Sequence, residues 1–266
     1  MIARGAGGVS RALLLFVVLS AGVVGVEAAL LVGSSQAPYW MLLTLPLTGL
    51  VYAVVGAFAW SRRPSNGTGP LFCAGAVVWL ATGLVNTDAP ALIAVGQLVA
   101  TVPIALVLHA LLAFPAGRLG TRLDRVLTGA GYVLTTVLVL PQPLFTPRPA
   151  PYDPLFVADR PDLLAVWEPV LVVLTVVLVL ATAVVLVRRL AAGAPHTRRT
   201  LGPVYAYGAF SVVGVWGALH VLPLLGVPLL VLPLVQIVLL AGVPVAFVAG
   251  VLLGGFARTV ELQELA

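Results

Sequence analysis

No lysine occurs in this chain, and only 9% of its residues are charged, all fourteen basic ones being arginine. A soluble domain carries charge on about a quarter of its residues. So low a content sets aside the water-soluble enzymes as a class. Without lysine there is no Walker-type phosphate loop. The single cysteine, Cys73, lies inside an apolar run, which excludes an intrachain disulfide and a cysteine-based metal site. No GxSxG, HExxH or CxxC occurs. "GAGG" near the start precedes an apolar run with no strand before it, so it is not a dinucleotide loop. The apolar runs hold no paired carboxylates and no HxxxH, which leaves metal and proton-pump chemistry without support. No cofactor is expected. The isoelectric point is near 10, yet the arginines gather on no single soluble face, so nucleic acid is not an expected partner.

What the chain has is hydrocarbon: 61% hydrophobic residues and a mean hydropathy of +1.14. A helix needs about 20 mostly apolar residues to cross a bilayer. Eight segments meet or approach that, at 12–32, 39–60, 71–87, 91–114, 126–146, 167–187, 203–222 and 227–253. Strand-period alternation is missing, and lipid cannot satisfy an open backbone. The expected fold is therefore all-α, a polytopic helical membrane bundle with the bilayer as its first partner. Twelve arginines fall before the first segment, after the last, or in alternate loops between them, and only Arg148 and Arg160 fall on the other side. Asp88, Asp153, Asp159, Asp162 and Glu168 share that arginine-poor side. The positive-inside rule then puts both termini in the cytoplasm of a multi-pass cell-membrane protein. A cleaved first segment is the alternative, since a basic start, an apolar stretch and Val-x-Ala ending at Ala28 also suit a signal peptide. On the first reading, residues 1–256 form the transmembrane domain and 257–266 a cytoplasmic stub.

Polar side chains inside apolar segments are costly, and each is a functional hypothesis by default. Glu27, Gln97, His109, His220 and Gln236 are the candidates, with Asn86 at a segment end. Helix-to-helix hydrogen bonding is the competing reading for all of them. The outer segment 147–166 is rich in proline, too poor in apolar surface to fold alone, and suited to lie across the bundle mouth as a lid. In the last segment Gly242, Ala246, Gly250 and Gly254 recur every four residues. Such a seam admits close helix approach, within the bundle or in a homodimer.

Four stretches resemble one known family. "RRPSNGTGPLF" (Arg62–Phe72), "HALLAFPAGRL" (His109–Leu119), "RRLAAGAPHTRRTL" (Arg188–Leu201) and "PVAFVAGVLLGGFARTVELQELA" (Pro244–Ala266) are similar, in order and spacing, to the multi-spanning input module of bacterial two-component sensor histidine kinases. The resemblance implies cytoplasmic anchor turns at Arg62, Arg63, Pro64, Asn66 and Gly69, at Pro115, Gly117 and Arg118, and at Arg188, Arg189, Arg198 and Arg199. It implies a membrane-embedded sensor that acts through its last helix on a cytoplasmic kinase or response regulator. Pro70, where the family has an aromatic residue, and "LLGGFAR", without arginine directly after the Leu-Leu pair, depart from the pattern. The stretch to Ala266 carries no phospho-acceptor or ATP-binding segment, so no catalysis is expected of this chain itself. A transporter or permease is the other reading, weakened by the lack of a half-to-half repeat.

Overall fold

The computed structural model describes residues 3–31, 39–193, 195–228 and 231–264. Among these every regular element is helical: α1 (Ala3–Leu31), α2 (Tyr39–Arg62), α3 (Thr68–Gly83), α4 (Pro90–Val99), α5 (Val102–Ala113), α6 (Arg122–Val133), α7 (Pro141–Phe145), α8 (Pro161–Ala192), α9 (Pro195–His220) and α10 (Val231–Glu264). A π segment, Leu134–Leu138, joins α6 to α7, and 3-10 turns follow α3 and α9.

Seven stretches of the described residues are long and apolar enough to cross a membrane. The eighth expected span, 203–222, is not among them. It lies in α9, whose 26 residues are long enough but include Pro203, Tyr205, Tyr207, Ser211 and several glycines, which dilute its hydropathy. Two spans are composite. The fourth runs Pro90–Ala113 across a break at Ala100 and Thr101, ahead of Pro103, and the fifth runs Arg122–Phe145 through the π segment. The break and the π segment meet, because Thr101 Oγ1 donates to the Thr135 carbonyl at 2.7 Å.

Two boundaries move from the sequence reading. Helix α8 starts at Pro161, inside the expected lid, because proline at the first turn loses no needed donor. It also runs on to Ala192, so Arg188 and Arg189 are helical and no long basic loop precedes α9.

The main core joins α2, α3, α5, α9 and α10 through Tyr52, Phe72, Trp79, Leu111, Tyr205 and Phe247. A second cluster, Leu108, Leu112, Leu127, Leu134 and Leu178, seals α5, α6 and α8 together. Helix α1 buries one stripe at seven-residue spacing, Leu13, Ser20 and Glu27. Elsewhere α1 and α8 expose leucine and valine, Leu15, Leu19, Val173, Val177 and Val184 among them. Exposed apolar surface this continuous suits lipid, not water.

Helices α2 and α3 make the closest pair. A Cβ on Gly56 would sit 2.7 Å from the backbone nitrogen of Cys73. Gly56→Val should therefore force the hairpin apart and cost about 1–3 kcal/mol. Gly129→Val, on α6 with nothing within 4 Å of its Cβ position, is the matched control. Thermal unfolding in detergent should show a lowered midpoint for the first variant and none for the second.

Candidate functional site

One end of the bundle brings together described residues of 62–72, 109–119, 188–198 and 244–250. The turn after α2 and the turn after α5 interlock there. Asn66 Nδ2 donates to the Pro115 carbonyl at 2.9 Å, while Asn66 Oδ1 accepts from the Thr68 amide at 2.9 Å. Helix α5 ends where Phe114 turns extended ahead of Pro115, and in the following turn Gly117 adopts φ +70°, where a Cβ would strike Asn66 and Gly67. Gly69, in the first turn of α3, faces the backbone of Trp60 on α2.

Beneath the turns lies a buried ion pair. Asp124, 1% exposed, stands third in α6 and closes a capping box with Thr121: its Oδ2 accepts from the Thr121 amide at 2.9 Å, and its amide donates to Thr121 Oγ1 at 3.1 Å. Its other oxygen accepts from Arg189 Nη2 at 2.6 Å. Arg189 Nη1 donates to the Leu112 carbonyl at 2.6 Å, capping the last turn of α5. Tyr205 of α9 adds a second cap, its hydroxyl donating to the Phe114 carbonyl at 3.0 Å. One guanidinium thus ties α8 to α5 and α6, and one phenol ties α9 to α5. Arg198 closes the end of α8 by donating to the Gly193 carbonyl at 2.7 Å and to the Ala191 carbonyl. Arg62 lies over the Phe58 ring at 5.3 Å, and Arg63, Pro64, Pro115, Arg118 and Arg188 are exposed. The side chain of Arg199 lies outside the described residues.

Helix α10 is held at this end by aromatic rings. Phe247 meets Phe72 of α3 with ring centroids 5.2 Å apart, and Phe114 at 5.5 Å, both edge-on. Such pairs contribute about 0.5–1.5 kcal/mol beyond the area they bury. One turn earlier, Pro244 has no N–H to give the carbonyl of Leu240. Tyr52, fully buried on α2, supplies the missing donor at 2.8 Å. Tyr207 and Ser211 of α9 both donate to the Leu239 carbonyl, at 3.1 and 2.9 Å. A proline that would otherwise leave an orphan acceptor in an apolar interior becomes the point where α2 and α9 grip α10. Gly242 of the small-residue seam faces Tyr207 of the same chain, so that position is already filled. Gly250 is buried, Ala246 is half-buried, and the surroundings of Gly254 lie outside the described residues.

The five intramembrane polar candidates go to separate places. Glu27 is buried against Gly83 of α3, with neither carboxylate oxygen hydrogen-bonded. His109 shares a 3.1 Å hydrogen bond with Tyr132 of α6, ring edge to ring face. His220 stacks on Trp216 at 4.9 Å, and its Nδ1–H donates to that residue's carbonyl at 3.0 Å. Gln97 Nε2 donates to the Tyr152 carbonyl at 3.1 Å, and Gln236 Nε2 reaches the Val215 carbonyl at a long 3.4 Å.

The opposite end is pinned by the lid. Besides holding Gln97 through its carbonyl, Tyr152 donates its hydroxyl to Asp88 at 3.3 Å. Desolvation raises the pKa of this phenol above its ordinary value, and the Asp88 charge and hydrogen bond add to the rise. Trp167 Nε1 donates to the Leu138 carbonyl at 2.8 Å, where the π segment gives way to Pro141. Gln142 donates to Glu168 at 3.2 Å.

No protein-family model, curated protein or solved structure matches this chain.

Asp124, Tyr52, Tyr205, Tyr207 and Ser211 of the site escaped the sequence reading. The Thr-x-x-Asp spacing of 121–124 did announce a helix start. Nothing local announced Arg189, 65 residues away.

Removing Asp124 deletes the capping box of α6 and leaves the partly buried Arg189 without its counter-charge, so Asp124→Ala should cost about 2–4 kcal/mol. Arg189→Lys should not rescue the site, because one ammonium cannot reach both the carboxylate and the Leu112 carbonyl as a fork. Asp162→Ala, which breaks the exposed pair with Arg160, should leave the midpoint unchanged. Unfolding in detergent, monitored by circular dichroism, reads all three.

Proposed function

We propose that this chain is a membrane-embedded signal-transducing module of a bacterial plasma membrane, with eight spans, both termini cytoplasmic and no catalytic activity of its own. The observation that carries this reading is the double grip on α10: the proline kink held by Tyr52, Tyr207 and Ser211, and Phe247 set between Phe72 and Phe114. With 34 residues α10 extends about 51 Å, well beyond the roughly 30 Å of hydrocarbon it has to cross. Its far end is therefore free to pass a tilt or rotation to a cytoplasmic kinase or response regulator.

Phe72 and Phe114, from two of the other family-like stretches, meet Phe247 on that helix, which supports the same reading. So does the charge of the two ends: Arg62, Arg118, Arg188 and Arg198 lie towards one end, Asp88 and Glu168 towards the other. The transporter alternative has one feature in its favour, the broken span between α4 and α5.

Two experiments test the proposal. For topology, Cys73 is replaced by alanine and single cysteines are placed at Ser65 and Val157. An impermeant maleimide should label position 157 in intact cells and position 65 only after permeabilisation; the reverse pattern overturns the orientation. For signalling, a histidine-kinase core is fused after Ala266. Phe247→Ala should shift basal phosphorylation by about fivefold or more, the size of a 1 kcal/mol coupling. Phe210→Ala, on the exposed face of α9, should not. Equal output from both variants would remove the signalling reading, since a transporter has no need to report the state of Phe247.

A further inference from the structure

Between α3, α5, α9 and α10 lies a cavity of about 320 Å³, within the range of small-molecule sites. It sits beside the α4–α5 break, with Ala100, Thr101 and Pro103 in its wall. No charged side chain lines it. A charged occupant would leave water without compensation, which is prohibitive. Leu45, Ile104, Leu219 and Ile237 supply apolar wall. Against that wall stand hydrogen-bond donors that the protein leaves unused. Asn86 Nδ2 is buried and has no acceptor. Trp79 Nε1 is buried beside the Tyr52 hydroxyl oxygen, which keeps lone pairs to accept from it while its own O–H donates to Leu240, so this donor is within reach of a partner inside the protein. The Gln236 amide makes only its long contact to Val215. Each unmade buried donor costs about 1–3 kcal/mol until an acceptor arrives.

We propose that this cavity is a binding site for an uncharged, mainly hydrocarbon molecule bearing a carbonyl or ester oxygen, which accepts from Asn86. A membrane ester lipid and a dissolved ketone share this chemistry. Four residues of α10 form part of the wall, Pro233, Gln236, Ile237 and Leu240, and Leu240 carries the carbonyl that Tyr52 holds. An occupant therefore touches the kinked helix directly. Its service as the signalling stimulus rests on the function proposed above; its binding does not.

The test uses the full chain in nanodiscs, with equilibrium binding read by native mass spectrometry and tryptophan fluorescence. Four probes are compared: 1-monodecanoylglycerol, 2-nonanone, decane and decanoate. Saturable binding of the ester or the ketone is expected, with decane and decanoate at least about tenfold weaker, the worth of one good hydrogen bond. The ester binding alone points to a lipid source, the ketone alone to a dissolved one. Asn86→Leu should abolish the preference for oxygen-bearing probes, and Ile104→Trp should block all binding by filling the space. If either variant fails to fold, Gln236→Leu and the order of the four probes on the unaltered protein decide. The proposal is overturned if neither oxygen-bearing probe saturates, which would leave water as the donors' partner, or if decanoate or decane binds as tightly. Binding without any change in the fused kinase keeps the site and removes its signalling role. Kinase response to Phe247→Ala without binding does the opposite.

Discussion

A single carboxylate, Asp124, holds the arginine end of this bundle together. It starts α6 through its capping box, receives Arg189 from the end of α8, and through that guanidinium reaches the last turn of α5. Each bond answers an unmet group: an amide at a helix start, a carbonyl at a helix end, a charge that would otherwise be stranded. A buried pair of this kind is poor evidence of net stability, because desolvation offsets much of the attraction. What it supplies is connection. It ties α5, α6 and α8 to one another through three groups at once, and Asn66 ties the turn after α5 to the turn after α2.

The same rule governs the prolines. In an apolar surround every freed carbonyl needs a new donor, and neighbouring helices are the only source. Tyr52 answers Pro244, Thr101 reaches the π segment, and Trp167 answers the step into Pro141. At Pro244 the freed carbonyl thus becomes a polar rivet between helices. Where three rivets fall on neighbouring carbonyls of one helix, at Leu239 and Leu240, the helix is held at its weakest point. A kink clamped from two sides has few orientations open to it, and a change in either clamp is passed along the rest of α10.

The helical class and most span positions were legible in the sequence, because lipid demands long apolar runs and tolerates few charges between them. Helix ends were less so. Proline at the start of α8 and arginines at its end read as loop, whereas the helix uses the first as its opening turn and turns Arg189 inward. The pairings themselves could not be read at all. Asn66 with Pro115 spans 49 residues and Tyr52 with Leu240 spans 188, and neither has a local signature. The polar candidates that stood out, such as His109 and His220, proved to be tied to nearby tyrosine and tryptophan, while an unused donor remained on Asn86, noted in the sequence only as standing at a segment end.

The weak hydropathy of α9 follows from its neighbours. Its inward positions, Tyr205, Gly208, Ser211 and Gly214, pack against α5 and α10, where a phenol caps Phe114, a hydroxyl holds Leu239, and glycines admit Leu111 and Leu239. Its exposed large residues, Phe210, Val213 and Leu219, are apolar. An average over the whole helix mixes the two faces and falls below that of α8, which buries only Leu178, Thr182 and Leu186 along its length. Hydropathy measures how much of a helix lipid would see. A helix with one face against protein keeps that face for hydrogen bonds and leaves the other apolar, so its average falls below that of a helix exposed along most of its length.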